Sequence, residues 1–499
     1  REMPPLGATR VNDRWVHEGA PVRISILIRT EDQRRRIGDY VGNLLEGLGF
    51  EVERLYRAAD EASRIWIAGD PAAGRWHIYT GGWVSTLIQR DLSDNFAYYY
   101  TPLGRPEPLW QVYRPDPELQ TLAERLQRAD YTTWDERQAM MSRALELSMT
   151  DSVRIWLVDV VNAQPHAANV DLTSDLAGGF GGSALWAYTL RYTDRVGGYV
   201  VVALPTPIAE PWNPVAGSNW IFDRMIMRGL TDTVGLPAPY TGLFWPQRIA
   251  AAEVAVQDDL PVIRTLDWLT LVREPEIVVP ADSWIAWDGA ASRWISVGER
   301  HPDGLTARTR VTVRYEDDFL EHRWHDGTQV SLADLVVPMI LAFDRADPES
   351  RLYDAAYQLV FDVFMQHFKG MRIVSEAPLV VELYSDQVYP DAEAILAARA
   401  PALAPWHTLA LGMLAERQGE LAFSSNKADR NEVDWMSYIA GPSLAILARH
   451  LGEARASGFV PYAEAVAPYL REGEAAERYA ALDAWYAARR HFWVDNGPF

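Results

Sequence analysis

Cysteine is absent from all 499 residues, which excludes disulfides, thiolate zinc sites, cysteine nucleophiles and a lipidated N-terminal cysteine on this chain. Lysine is nearly absent as well. Only Lys369 and Lys427 occur, so the positive charge is almost all arginine, a bias that suits a GC-rich or heat-adapted source and carries no functional meaning. Positive charge as a whole is short: 47 Lys plus Arg face 68 Asp plus Glu, for a net charge of −21 and a pI near 4.9. Nucleic acid and anionic membrane surfaces would repel such a chain, so nucleic acid is not expected as a partner. No apolar run reaches the roughly 18–20 residues needed to span a bilayer, and the apolar stretch at 199–204 reads as a strand. Gly-x-Ser-x-Gly, His-Glu-x-x-His, P-loop and dinucleotide fingerprints are missing, as are internal repeats and low-complexity tracts. The glycine run Gly178–Gly182 lacks the Lys-Ser/Thr of a phosphate cradle and reads as a flexible crossing.

What the chain does have is apolar substance, at 48% hydrophobic residues, and 20 tryptophans. This length and composition predict a globular protein of two or three domains. An apolar run at 22–28 predicts a strand. Helical periodicity over 34–48, a stop at Gly49 and a second extended run at 50–55 complete a strand-helix-strand unit. Helices are expected over 117–128 and 133–149, and a strand over 153–161. Gly-, Pro- and aromatic-rich sequence from 166 to 220 marks an interdomain crossing. Residues 260–325 read as a small antiparallel sheet, and 331–369, 390–418 and 442–490 as mainly helical. The fold class is α/β, divided into a lobe at 1–165, a crossing and first-lobe segment at 166–258, an α+β region at 259–485 and a return crossing at 486–499.

One motif is specific. Trp324-His325-Asp326-Gly327-Thr328, followed by Ser331-Leu332-Ala333-Asp334, resembles the signature of extracellular solute-binding protein family 5, the oligopeptide/dipeptide/nickel-binding type that serves ABC importers. Asp326-Gly327 suits the turn, Ser331 can cap a following helix, and Asp334 complements its positive end. Three further stretches resemble the family: Ile37–Val52, Trp76–Trp83, and the closing His491–Phe499 with its Gly-Pro-aromatic end. Their order differs from the family's usual one, as in a circular permutation in which both ends of the chain fall mid-fold. The expectation is then of native sequence before Arg1 and after Phe499.

The resemblance implies a two-lobed periplasmic-binding-protein-like fold (type II, cluster C-like) with an extra α+β subdomain. It implies a monomeric, non-enzymatic, extracytoplasmic receptor without cofactor or metal, which delivers a peptide or oligosaccharide to a permease. Matched motif by motif, the cleft aromatics fall on Trp66 and Trp83. Backbone contacts fall on Gly217, Ser218 and Asn219 next to Trp220, and an aromatic reaching from the second lobe falls on Tyr353. Peptide-binding members carry an acid shortly after the residue matched by Trp83, where this chain reads Val84-Ser85-Thr86. Ser85 and Thr86 are therefore candidate contacts, and Asp91, with Asp94, is the nearest counter-charge for a ligand ammonium. That departure raises a neutral oligosaccharide as the alternative ligand. Other readings set beside it are a carboxylate hydrolase using Asp282, Asp288, Glu316–Asp318 or Glu321, a metal held by His322 and His325, and a surface assembly subunit.

Overall fold

A computed structural model describes the chain except residues 1–2, 84–86, 160, 162, 205–207 and 402, and the side chains of residues 59 and 60. Two compact units emerge, Arg1–Val84 with Arg105–Arg114, and Ser85–Gly104 with Pro115–Phe499. The first stretch of the sequence division, 1–165, thus contributes to both.

The smaller unit is built on the expected strand-helix-strand. Strand Arg23–Arg29 is followed by helix Arg34–Gly47 and strand Glu51–Arg57, which pairs in parallel with the first from Arg23↔Glu51 to Arg29↔Arg57. Helix Ala59–Trp66 then leads to the short strand Ile78–Tyr79, which pairs in parallel on the other side, Ile26↔Ile78 and Leu27↔Tyr79. Arg23–Arg29 is therefore the central strand, and its Ile26, Leu27 and Ile28 are fully buried. A strand flanked on both edges and covered on both faces reads as a continuous apolar run. Helix Arg34–Gly47 lies close against it because Gly38 carries no side chain, where a Cβ would come within 2.7 Å of Ile28, while Gly42 makes room for Arg54 of the neighbouring strand.

The larger unit is mixed α/β around a seven-stranded sheet. Its order is Leu269–Glu274, Ile249–Gln257, Thr309–Tyr315, Leu379–Ser385, Phe368–Glu376, Trp284–Asp288 and Arg293–Ser296, with only the first pair parallel. Burial alternates strictly along Thr309–Tyr315, as the period-2 pleat demands. Val254, Val256, Val311, Val313 and Val381 share one core with Leu119, Leu126 and Met140 of helices Pro117–Gln127 and Trp134–Thr150. Ala255 and Tyr384 join a second cluster with Ile277 and Ile285. Helices Ala333–Asp344, Trp406–Arg417, Ser443–Ser457 and Glu474–Arg489 enclose a third.

Two expected strands do not form. Among the described residues of 153–161 and 199–204 no strand is assigned, and Ile155, Trp156, Leu157, Val158, Val161, Tyr199 and Val201 are exposed. High β-propensity measures fit to a pleated, half-buried surface. These segments have the composition without the neighbouring strand that would use it. The antiparallel sheet expected at 260–325 is larger than read, because its central strands come from 249–257 and 368–385.

Candidate functional site

In the smaller unit the chain passes from the central strand to Glu51–Arg57 on one side and then crosses back to Ile78–Tyr79 on the other, giving the order Glu51–Arg57, Arg23–Arg29, Ile78–Tyr79. That is a topological switch point, and in open parallel sheets a crevice opens there at the carboxyl ends of the strands. The residues at those ends are Arg29, Thr30 and Glu31 on one side and Tyr79 to Trp83 on the other. Trp66, from the end of helix Ala59–Trp66, stacks on Tyr79 with ring centroids 4.6 Å apart at 19°. Trp83, four residues beyond Tyr79, is 56% exposed. Thr80 is buried and its hydroxyl accepts from the Arg29 amide at 2.9 Å, which ties the two strand ends together.

Charge at this edge is already neutralised. The buried Arg29 guanidinium donates to both oxygens of Glu31, at 3.0 and 3.1 Å, and to the Tyr79 hydroxyl at 3.2 Å. Burial pulls its pKa down, but the Glu31 and Tyr79 hydrogen bonds outweigh that and hold it above the usual arginine value. Arg34 is held by Asp32 at 2.7 Å, and against the opposing effect of burial this pairing keeps the Asp32 carboxyl below its ordinary range. Such a surface offers aromatic faces with little net charge. It suits a solute with flat apolar faces, and it would desolvate a free ammonium at a cost that nothing nearby offsets.

The remaining expected site residues lie in the larger unit, apart from Ser85 and Thr86, which lie outside the described residues. Asp91 is bound to Arg137 at 2.6 Å and its carboxylate also accepts from the Ser93 amide. Burial, and then the Asp91 charge, raise the pKa of Asp94. Gly217, Ser218 and Asn219 lie between a turn at residues 214–216 and helix Ile221–Leu230. A Cβ at Gly217 would fall 2.4 Å from the Asn213 amide, so only glycine fits there. The Ser218 amide donates to Pro211 O and the Asn219 amide to Glu210, while the Ser218 hydroxyl bonds the buried Asp223 at 2.9 Å. Both amides are thus engaged by the preceding segment, at Glu210 and Pro211. Trp220 is half-buried, edge-on to Phe222, and Tyr353 is half-buried in the turn before helix Ala355–His367.

The signature motif makes a buried junction. Asp326 accepts from the Thr328 amide and hydroxyl, Gly327 turns at φ 88°, and the Trp324 indole donates to Asp334 at 3.0 Å. Ser331 does not cap the helix with its hydroxyl as expected. That hydroxyl donates to Glu474 at 2.8 Å, and Asp334 instead accepts the Ser331 amide. Arg478, fully buried, bridges Asp334 at 2.7 Å and Glu474 at 2.9 Å. His407 reaches Asp326 at 2.8 Å, and burial, ahead of the Asp326 bond that opposes it, lowers its pKa. The charges here are enclosed and paired with one another, which makes the motif a clamp between helices.

Of the other candidate groups, Asp282, Asp288 and His325 are each held in separate pairings of their own. Asp282 pairs with Arg372, Asp288 accepts from the Ala291 amide, and His325 faces Gly497 O at 3.0 Å rather than His322. Sequence reading set Tyr79 within the Trp76–Trp83 stretch without singling it out, and passed over Arg29 and Glu31. An arginine closing an otherwise apolar strand was the available signal, because a charge buried at a strand end needs a built partner. No family model and no curated protein matches the chain.

Proposed function

We propose that the chain is the solute-binding component of an ABC importer, a non-catalytic, extracytoplasmic receptor with the two-lobed periplasmic-binding architecture that hands its ligand to a permease. The observation that carries this reading is the Trp66–Tyr79 stack with the exposed Trp83 at the switch point of a parallel sheet. Aromatic faces with internally paired charges favour a neutral, stacking solute such as an oligosaccharide. An extended peptide with a free amino terminus is disfavoured, since Asp91 is already committed to Arg137. No helix among the described residues is long and apolar enough to cross a membrane. The Trp324–Thr328 junction supports the reading through its residues, which resemble the family signature.

The test is intrinsic tryptophan fluorescence and thermal unfolding against neutral oligosaccharides and short peptides. A bound ligand stabilises the native state by RT ln(1 + [L]/Kd). A saturable response to oligosaccharides, with the ligand recovered unchanged, is expected. Consumption of the ligand, or no saturable response to either panel, overturns the proposal.

A further inference from the structure

The segment that follows strand Thr309–Tyr315 gathers three metal-ligating side chains. One ligand atom each from Glu316, Asp318 and His322 lies within 4.8 Å of the others. The backbone carrying them is pinned: the Glu316 amide donates to Arg248 O at 3.1 Å, the Phe319 amide to Glu316 O at 3.0 Å, and the Glu321 amide to Asp318 O at 2.8 Å. Beyond the short 3-10 turn Phe319–Glu321, His322 O accepts from the Val330 amide at 2.9 Å. Asp317 points elsewhere, to Arg314, so the acids at 316 and 318 are the ones grouped with the imidazole.

A second observation is independent of this clustering. His322 Nε2 is shielded from solvent and has no hydrogen-bond partner. A buried polar atom left without a partner keeps its full desolvation penalty, and a half-buried imidazole beside two carboxylates is relieved when the group is drawn onto a cation. Arg248 approaches Glu316 only at 3.8 Å, since its guanidinium is already held by Asp232 at 2.6 Å, and so leaves the carboxylate free to turn.

We propose that Glu316, Asp318 and His322 bind a first-row divalent cation of the zinc type. Mixed imidazole and carboxylate donors select such ions over calcium or magnesium, which take oxygen ligands alone. In the tetrahedral geometry of such ions, metal–ligand bonds of about 2.0–2.2 Å put neighbouring ligand atoms about 3.3–3.6 Å apart. From within 4.8 Å of one another, the three ligand atoms therefore draw in by up to about 1.5 Å, a change that side-chain rotation supplies. Three protein donors leave a fourth position for water or a solute group, and the exposed Asp318 keeps that side open.

Titration of the intact chain with Zn2+ by calorimetry tests this, with Ca2+ as competitor. One saturable site is expected, insensitive to Ca2+. Replacing partners that only support a metal ligand costs roughly 10–100-fold in affinity, so His322→Ala is expected to weaken binding by at least that much. Asp318→Asn, at an exposed position, preserves the fold and is also expected to weaken binding. If His322→Ala unfolds early without metal, Asp318→Asn alone decides. Non-saturable heats, equal affinity in the deciding variant, or displacement by equimolar Ca2+ overturn the proposal.

Discussion

Replacing Asp495 by Asn is expected to change how the fold responds to pH. Asp495 is half-buried with its carboxylate enclosed, accepts from the Thr231 hydroxyl at 2.7 Å and from the Asn496 amide at 3.0 Å, and its pKa is raised to about 7 by desolvation, with the Asp232 charge adding to the rise. Relative to an ordinary carboxyl at 3.8, the folded state holds this proton more tightly than the unfolded chain. The sign follows directly. The contribution to stability is fully present below about 4, declines as pH rises, and is lost above about 7. Three pKa units at roughly 1.4 kcal/mol each amount to about 4 kcal/mol, of which roughly 2–3 kcal/mol is lost between pH 5 and 8. Asparagine mimics the protonated acid and does not titrate. Urea unfolding of both proteins at several pH values isolates the effect, because all other groups cancel in the difference. The stability gained by Asp495→Asn should grow from pH 5 to pH 8 by about that amount. Two parallel pH curves would refute the reasoning, since they would mean that Asp495 titrates alike folded and unfolded.

Three further outcomes are expected. Arg478→Met leaves the Asp334 and Glu474 carboxylates buried without their cation, and should cost about 3–5 kcal/mol in denaturant unfolding, with Arg478→Lys losing less. His367 has its pKa pushed down to about 4 by burial and then by Arg399, so its contribution is present above about 6.5 and lost as pH falls toward 4. His367→Gln should remove that acid-side loss, read from the same pH series. Trp83→Ala should weaken solute binding by about tenfold, on the order of 1.4 kcal/mol, in fluorescence titration, while melting within a degree or two of the parent because Trp83 is exposed.

The local pattern of this chain was legible wherever one segment's own chemistry decided the outcome. The apolar run ending at Ile28, the periodicity stopped by Gly49 and the helical stretches at 117–128 and 133–149 correspond to strand Arg23–Arg29 and to helices Arg34–Gly47, Pro117–Gln127 and Trp134–Thr150. Turn chemistry at Asp326-Gly327 was likewise readable, because a short carboxylate and a residue tolerant of positive φ suffice to make it. Pairing between distant segments was not. Residues 153–161 and 199–204 read as strands as strongly as 23–29 does, yet only the last meets two neighbours to bond with. Ser331 was suited to a cap until Glu474, 143 residues away, took its hydroxyl. Glu316, Asp318 and His322 look in sequence like unrelated members of an acidic stretch, and it is the turn after Tyr315 that sets their ligand atoms side by side. Composition and short-range spacing determine which elements this chain can make. Which strands pair, which charges are enclosed and which side chains converge depend on segments far apart in sequence, and only the tertiary structure brings those together.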